Sequence, residues 1–370
     1  MPAMSRSLLL AGATLCALVL GGCTAPTPEP APPTNGSTSP AEARLRDAAP
    51  AGLVIGAAVA GGGHHVSAGY PDPFPNDQAY RELLAGEFSS LTPENQLKWE
   101  FVHPARDEYR FGPADDIVSF AEEHGQAVRG HALLWHSQNP AWLADGEFSD
   151  EELRAILHEH ITTVVGRYAG RIAQWDVANE IFGDDGAPRS ENLWIARLGI
   201  GIVGDAFRWA HEADPAAVLF LNDYGIESRG PKADAYLSLA QQLLADGVPL
   251  GGLGVQGHLS MSYPQPSAVA ENLARFAELG LAIAVTEADV RMPLDGAPTP
   301  TQLAQQSQWF ADLVEACRAT GRCTSFTVWG VGDHYSWVPS VFPDEGAATP
   351  WWEDFSRKPA YDGLFEALNR

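Results

Sequence analysis

Cysteine is scarce in this chain, with four in 370 residues, and so is positive charge, with 23 Lys and Arg against 47 Asp and Glu. The first shortage rules out a small disulfide-stapled scaffold or a cysteine-rich zinc module. The second leaves a formal net charge of −24, which repels phosphate backbones and argues against nucleic acid as a partner. There is no glycine-rich phosphate loop either: Gly61-Gly-Gly63 is followed by His64-His65, not by dinucleotide-binding spacing. Long apolar runs are missing apart from residues 8–20, too short to span a bilayer as a mature helix. No repeat of solenoid length is present. What remains is a chain with 45% hydrophobic and 19% charged residues, enough to fold around one sizeable core.

The N-terminus has its own logic. Arg6 precedes the apolar run, which ends in Leu20-Gly-Gly-Cys23. This resembles a bacterial lipoprotein cleavage box, so residues 1–22 are expected to be an export signal and Cys23 the lipidated residue. Ordinary cleavage with Cys23 incidental is the competing reading. Residues 23–41 are rich in Pro, Thr and Ser without a hydrophobic period, the composition of a semi-extended tether. Residues 42–370 then form a single folded domain. Cys317 and Cys323 have five residues between them at the end of a helical stretch, and export to an oxidising compartment predicts a local disulfide between them. The expected location is extracellular, at the cell surface, with membrane contact only through a lipid on Cys23.

Eight strand-like runs occur in the folded part, at residues 53–60, 88–91, 128–134, 172–177, 218–221, 253–255, 283–286 and 326–329. Amphipathic stretches at 113–124, 150–168, 203–213, 233–246, 268–279 and 301–320 separate most of them. That alternation predicts an α/β architecture, a (β/α)8 TIM barrel. Polar residues gather where these runs end: Glu94, Asn95 and Lys98, then His131, Trp135 and Gln138, then Asn179-Glu180, Asn222-Asp-Tyr224, Gln256-Gly-His258, Glu287 and Trp329. Strand ends that repeatedly carry such groups predict a catalytic mouth, since buried polar groups without partners cost stability. Two carboxyls on different strands, Glu180 and Glu287, are what glycosidic bond cleavage needs.

The motifs Arg129-Gly-His131-Ala-Leu-Leu-Trp135-His136-Ser-Gln138, Asp176-Val-Ala-Asn179-Glu180, Gln256-Gly-His258, Thr286-Glu287-Ala-Asp289 and Thr327-Val-Trp329-Gly resemble those of glycoside hydrolase family 10, mainly endo-β-1,4-xylanases. The resemblance implies Glu180 as general acid/base and Glu287 as nucleophile. It implies that Asn179 bonds the sugar 2-hydroxyl, and that His131, Gln256 and Lys98 line the same subsite. Glu94, Asn95 and Gln138 would hold the next sugar on the non-reducing side. Trp135, Trp329 and Trp337 would wall the cleft, Tyr224 would sit on the leaving-group side, and His258 with Asp289 would support the nucleophile. Ala178 and Ala288 replace larger apolar residues usual in the family, a change that leaves the chemistry alone.

The implied activity is retaining, endo-acting hydrolysis of xylan and xylo-oligosaccharides by a monomer without cofactor or metal. The alternatives are a β-1,4-glucanase or cellobiosidase of the same family, or a non-catalytic glycan-binding lipoprotein. A metal reading of His131, His136 and His258 is disfavoured because these histidines alternate with Gln and Trp rather than clustering. His64-His65, in a Gly-rich turn, is expected to face solvent.

Overall fold

The computed structural model describes residues 43–370. The predicted signal, tether and Cys23 lie outside the described residues. Eight parallel strands form the barrel: β1 (Val54–Val59), β2 (Ser90–Pro93), β3 (Ala127–Gly130), β4 (Gln174–Asn179), β5 (Val218–Asp223), β6 (Gly252–Val255), β7 (Ala282–Pro293) and β8 (Cys323–Val328). Each pairs with its chain neighbours, and β1–β8 pairing closes the ring. Eight main helices follow the strands in turn: α1 (Gln78–Glu87), α2 (Gly112–Glu123), α3 (Asp150–Arg167), α4 (Ile202–Ala213), α5 (Pro231–Ala245), α6 (Val269–Ala277), α7 (Pro300–Ala319) and α8 (Pro359–Asn369). The expected (β/α)8 barrel is the fold.

Local chemistry explains the longest helices. Ser149 and Glu152 form a reciprocal capping box at the start of α3, and Thr299 with Gln302 does the same for α7, ahead of Pro300 in the first turn. Strand residues are buried on both faces, as barrel strands under a helical ring must be, so they read as apolar runs rather than alternating ones. Leu91, Trp175, Leu219, Leu253 and Phe326 belong to one continuous or adjoining apolar interior. Cys317 at the end of α7 is bonded to Cys323 at the start of β8, as expected from their spacing.

Two differences from the sequence reading matter for the site. The run at 283–286 was expected to stop before Glu287, but β7 continues to Pro293. Its outer half is held by pairing with the short strands His258–Ser260 and Glu345–Gly346, partners too far away in sequence to be read from local pattern. The strand expected over 128–134 ends at Gly130, yet Leu133 and Leu134 still pair with β4, their N–H groups donating to the Asp176 and Val177 carbonyls at 3.0 and 2.9 Å.

Candidate active site

The two strands that carry the glutamates are both irregular. In β4 the register with β5 shifts between Asp176 and Ala178, and in β7 the register with β8 shifts between Val285 and Ala288. An extra residue in a strand bends it and re-aims the side chains beside it. Glu287 therefore projects from inside a strand, not from its end. Glu180, the first residue beyond β4, has φ of 53° while its N–H donates to the Asn222 carbonyl at 2.9 Å. A left-handed backbone at a non-glycine residue is costly and persists where surrounding contacts impose it.

One cleft of about 1010 Å³ opens at this end of the barrel. That lies at the upper end for small-molecule sites and leaves room for more than one sugar. Its walls include Glu94, Asn95, Lys98, His131, Trp135, Gln138, Glu180, Tyr224, Gln256, His258, Glu287, Trp329 and Trp337. Asn179 and Asp289 sit directly behind them, both fully buried. All the residues singled out from the sequence for catalysis and binding are thus at the cleft or immediately beneath it.

Around Glu180, Trp135 Nε1 donates to Oε2 at 2.9 Å and Gln256 Nε2 to Oε1 at 3.0 Å. Asn179 Nδ2 reaches Oε1 at 3.4 Å, and His136 Nδ1 lies 3.8 Å from Oε2. Glu287 is more enclosed. Asn222 Nδ2 donates to its Oε1 at 2.8 Å, and His258 Nε2 lies 3.3 Å from its Oε2. The same Asn222 nitrogen donates to Asn179 Oδ1 at 2.9 Å, so a pair of asparagines joins the two carboxylates. Asn222 itself is oriented by Thr286, whose hydroxyl donates to its Oδ1 at 2.7 Å. Gly254 makes room for this: a Cβ there would stand 2.3 Å from Asn222 Oδ1.

The electrostatics favour an ionised Glu287. Burial pushes the Glu287 carboxyl up, but His131, His258 and Lys98 together outweigh it and bring it down to about 2. For His258 burial disfavours the charge, yet Asp289 and Glu287 on either side raise it to about 10. His258 Nδ1 lies 2.8 Å from Asp289 Oδ2 and completes an Asp–His–Glu line. His131 is fixed from behind by Asp176, whose Oδ2 lies 3.0 Å from Nδ1, while Arg129 grips the same carboxylate through Nε at 3.1 Å and through Nη2. Burial lowers the Lys98 ammonium against the pull of Glu94, Glu287 and Glu180. Lys98 donates to Asn95 Oδ1 at 3.1 Å and sits 4.8 Å from the Trp135 ring centre. On the opposite wall Arg189 Nη2 donates to the Tyr224 hydroxyl at 2.5 Å, and Lys232 Nζ sits 3.6 Å from the centre of its ring.

Sequence reading quoted Arg129, Asp176, Asn222 and His136 without giving them a part in catalysis or sugar binding, and passed over Arg189 and Lys232. The first three carried the available signal, a polar residue in an otherwise apolar strand or at its end. The last three are brought in by loops and by the helix after β5. One expectation is corrected: His65 does not face solvent but is 3% exposed, with Nε2 3.1 Å from Glu94 Oε2. It is held there because the Gly61–Gly63 segment adopts positive φ throughout and folds the turn inward over Asn95.

A family model described as Glycosyl hydrolase family 10 matches residues 48–367. An endo-1,4-beta-xylanase of Agaricus bisporus is 38% identical over 315 residues, 85% of this chain and 93% of the relative. Among solved structures, xylanase 10B of Thermotoga maritima superposes with a TM-score of 0.81 at 39% identity, covering 88% of this chain and 98% of that one. Xylanase 10B of Thermotoga petrophila RKU-1, solved in complex with xylobiose, gives 0.81 at 38% identity over 88% and 97% of the two chains. With a family match across nearly the whole barrel and relatives of this identity, the chain belongs to glycosyl hydrolase family 10.

Proposed function

We propose that this protein hydrolyses internal β-1,4-xylosidic linkages of xylan and xylo-oligosaccharides by double displacement, with retention at the anomeric carbon. One observation carries the reading: Glu180 and Glu287 open onto one cleft and are joined through Asn179 and Asn222. The relatives named endo-1,4-beta-xylanases, and a structural neighbour solved with xylobiose, support xylan as the substrate. A binder would need an aromatic-walled cleft but not two carboxylates joined across it.

Glu287, held ionised by the cations around it, attacks the anomeric carbon and forms a glycosyl ester. Glu180 gives its proton to the departing sugar oxygen, then takes one from the water that cleaves the ester. This assignment asks for carboxyls roughly 5–5.5 Å apart, the separation of retaining enzymes. Asn179 offers its amide to the sugar 2-hydroxyl, replacing the long 3.4 Å bond to Glu180. His131, Gln256 and Lys98 border the same sugar. Glu94, Asn95 and Gln138 take the next one on the non-reducing side. Trp135, Trp329 and Trp337 lie against sugar faces, and Tyr224 receives the leaving group. His258 and Asp289 keep the nucleophile charged and oriented.

The test is a pair of variants read on two substrates. Glu287→Ala abolishes turnover of xylan and of activated aryl glycosides alike. Glu180→Ala slows xylan hydrolysis by about 10²–10⁴-fold but spares the first step on an aryl glycoside with a good leaving group. Equal losses on the aryl glycoside would overturn the roles, and an inverted first product in NMR would overturn the mechanism.

We further propose that the chain is exported and tethered at the cell surface, and works as a monomer. The support for export and tethering is the Leu20-Gly-Gly-Cys23 box and the Pro-rich stretch behind it. Among the described residues no helix is long and apolar enough to cross a membrane. Cys23→Ser should move the protein from the membrane fraction to the medium.

A further inference from the structure

The turn after β1 brings His64 to the wall of the cleft and buries His65 beside it, and the proposed hydrolysis uses neither. Residues Gly63–Ser67 form one helical turn, and its left-handed glycines set the His64 and His65 rings side by side, 3.8 Å between centres. Both face one carboxylate. His65 Nε2 lies 3.1 Å from Glu94 Oε2, and His64 Nδ1 lies 3.6 Å from Glu94 Oε1. We propose that His64, His65 and Glu94 form a binding site for a divalent transition-metal ion, and that this ion competes with the glycan for Glu94.

The spacing suits an ion as well as a hydrogen bond. One donor atom from each of the three residues falls within 4.8 Å of the others. Two donors about 2.1 Å from a tetrahedral ion stand roughly 3.4 Å apart. The two contacts to Glu94, 3.1 and 3.6 Å, bracket that span, whereas 3.6 Å is too long for a hydrogen bond. His64 Nε2 is buried without a hydrogen-bond partner among the described residues, so Glu94 is what the ring answers to. His65 has outer support of the kind metal-binding histidines use: its Nδ1 lies 3.1 Å from the Tyr70 hydroxyl. With Nδ1 protonated toward Tyr70, the Nε2 lone pair points at the shared centre.

Two imidazoles and a carboxylate suit zinc, nickel or copper(II) rather than magnesium or calcium. His64, half-buried, is the more open side of the site and lines the cleft together with Glu94. An ion there keeps a coordination position open to water on the cleft side. Lys98, whose charge is felt at Glu94, opposes a dication and keeps the affinity modest. The metal half of the proposal stands on this geometry alone. The competition half rests on the reading of Glu94 as a sugar contact.

The experiment uses the purified protein titrated with zinc(II) alone, and with cobalt(II) as a spectroscopic stand-in. One ion per chain is expected, with the visible absorption of tetrahedral cobalt. His64→Ala weakens binding by on the order of 100-fold, and Tyr70→Phe by about tenfold, as the loss of an outer partner does. With xylo-oligosaccharides, zinc raises KM in the wild type while kcat holds, a chelator reverses the effect, and His64→Ala escapes it. Absence of saturable uptake, or equal uptake by His64→Ala, would overturn the site. Uptake that depends on His64 but leaves KM unchanged would keep the metal site and overturn the competition, and with it the sugar role of Glu94.

Discussion

Trp337 Nε1 donates to Asp289 Oδ2 at 2.8 Å, the same oxygen that lies 2.8 Å from His258 Nδ1. A wall of the cleft and the charge behind the nucleophile are thus fastened to one atom. Asp289→Asn should therefore fail twice. It weakens the hold on the indole and lets His258 lose its charge, so Glu287 rises from about 2. We expect kcat/KM to fall about 10–100-fold, or ~1.4–2.7 kcal/mol of transition-state stabilisation. The acid limb of the pH profile should move upward. An unmoved limb with reduced kcat/KM would assign Asp289 to the wall alone.

The pair His258 and Glu287 sets an alkaline limit on stability. His258 is raised from 6.5 to about 10, so its contribution is complete below pH 6.5 and is lost as pH climbs through 10. Glu287 is lowered from 4.5 to about 2, so its share is complete above pH 4.5 and fades only as pH falls toward 2. In thermal melts, the stability gap between wild type and His258→Gln should narrow steadily from pH 6.5 to 10.

Acid stress acts elsewhere. His103 Nε2 lies 3.0 Å from the Arg106 carbonyl and must donate to it, which leaves Nδ1 to accept from His160 Nδ1 at 3.2 Å. Both rings are neutral in this arrangement, and burial lowers both from 6.5. Their contribution is present above pH 6.5 and is lost as pH falls below it, because the unfolded chain takes up the protons. His160 stacks 3.5 Å from Trp99, next to Lys98 in the cleft floor. His160→Gln, which can donate without titrating, should flatten the decline of Tm between pH 6.5 and 4.5.

Reduction of the Cys317–Cys323 bond should cost little. It closes a short loop, with a sequence separation of 6, and chain-entropy arguments give ~2 kcal/mol for a loop of that size. The Cys317→Ala/Cys323→Ala variant should melt roughly 4 °C lower and keep its activity on xylan. A larger fall in Tm would mean that the bond also fixes how α7 meets β8.

The barrel was legible because eight apolar runs alternate with amphipathic stretches. The mouth was legible because polar residues at strand ends have no role in a core. Two helices, α1 at Gln78–Glu87 and α8 at Pro359–Asn369, were not read from the sequence, although each buries one stripe of its residues. The placement of Glu287 inside β7 was hidden for a physical reason: a register shift and partners as distant as Glu345 extend that strand, and neither leaves a local pattern. His65 was misplaced by composition. Glycines beside it read as an exposed turn, yet their positive φ is what carries the ring inward. Arg129, Asp176 and Asn222 form a polar column under the cleft whose purpose is visible only when the strands stand side by side.

The left-handed backbone at Glu180 has an evolutionary edge. A residue there other than glycine carries about 1–2 kcal/mol of conformational cost, so Glu180→Gly would relax the chain while removing its acid. Selection for heat tolerance alone would drift toward a sturdier, dead protein at this position. Only selection that counts product keeps the glutamate.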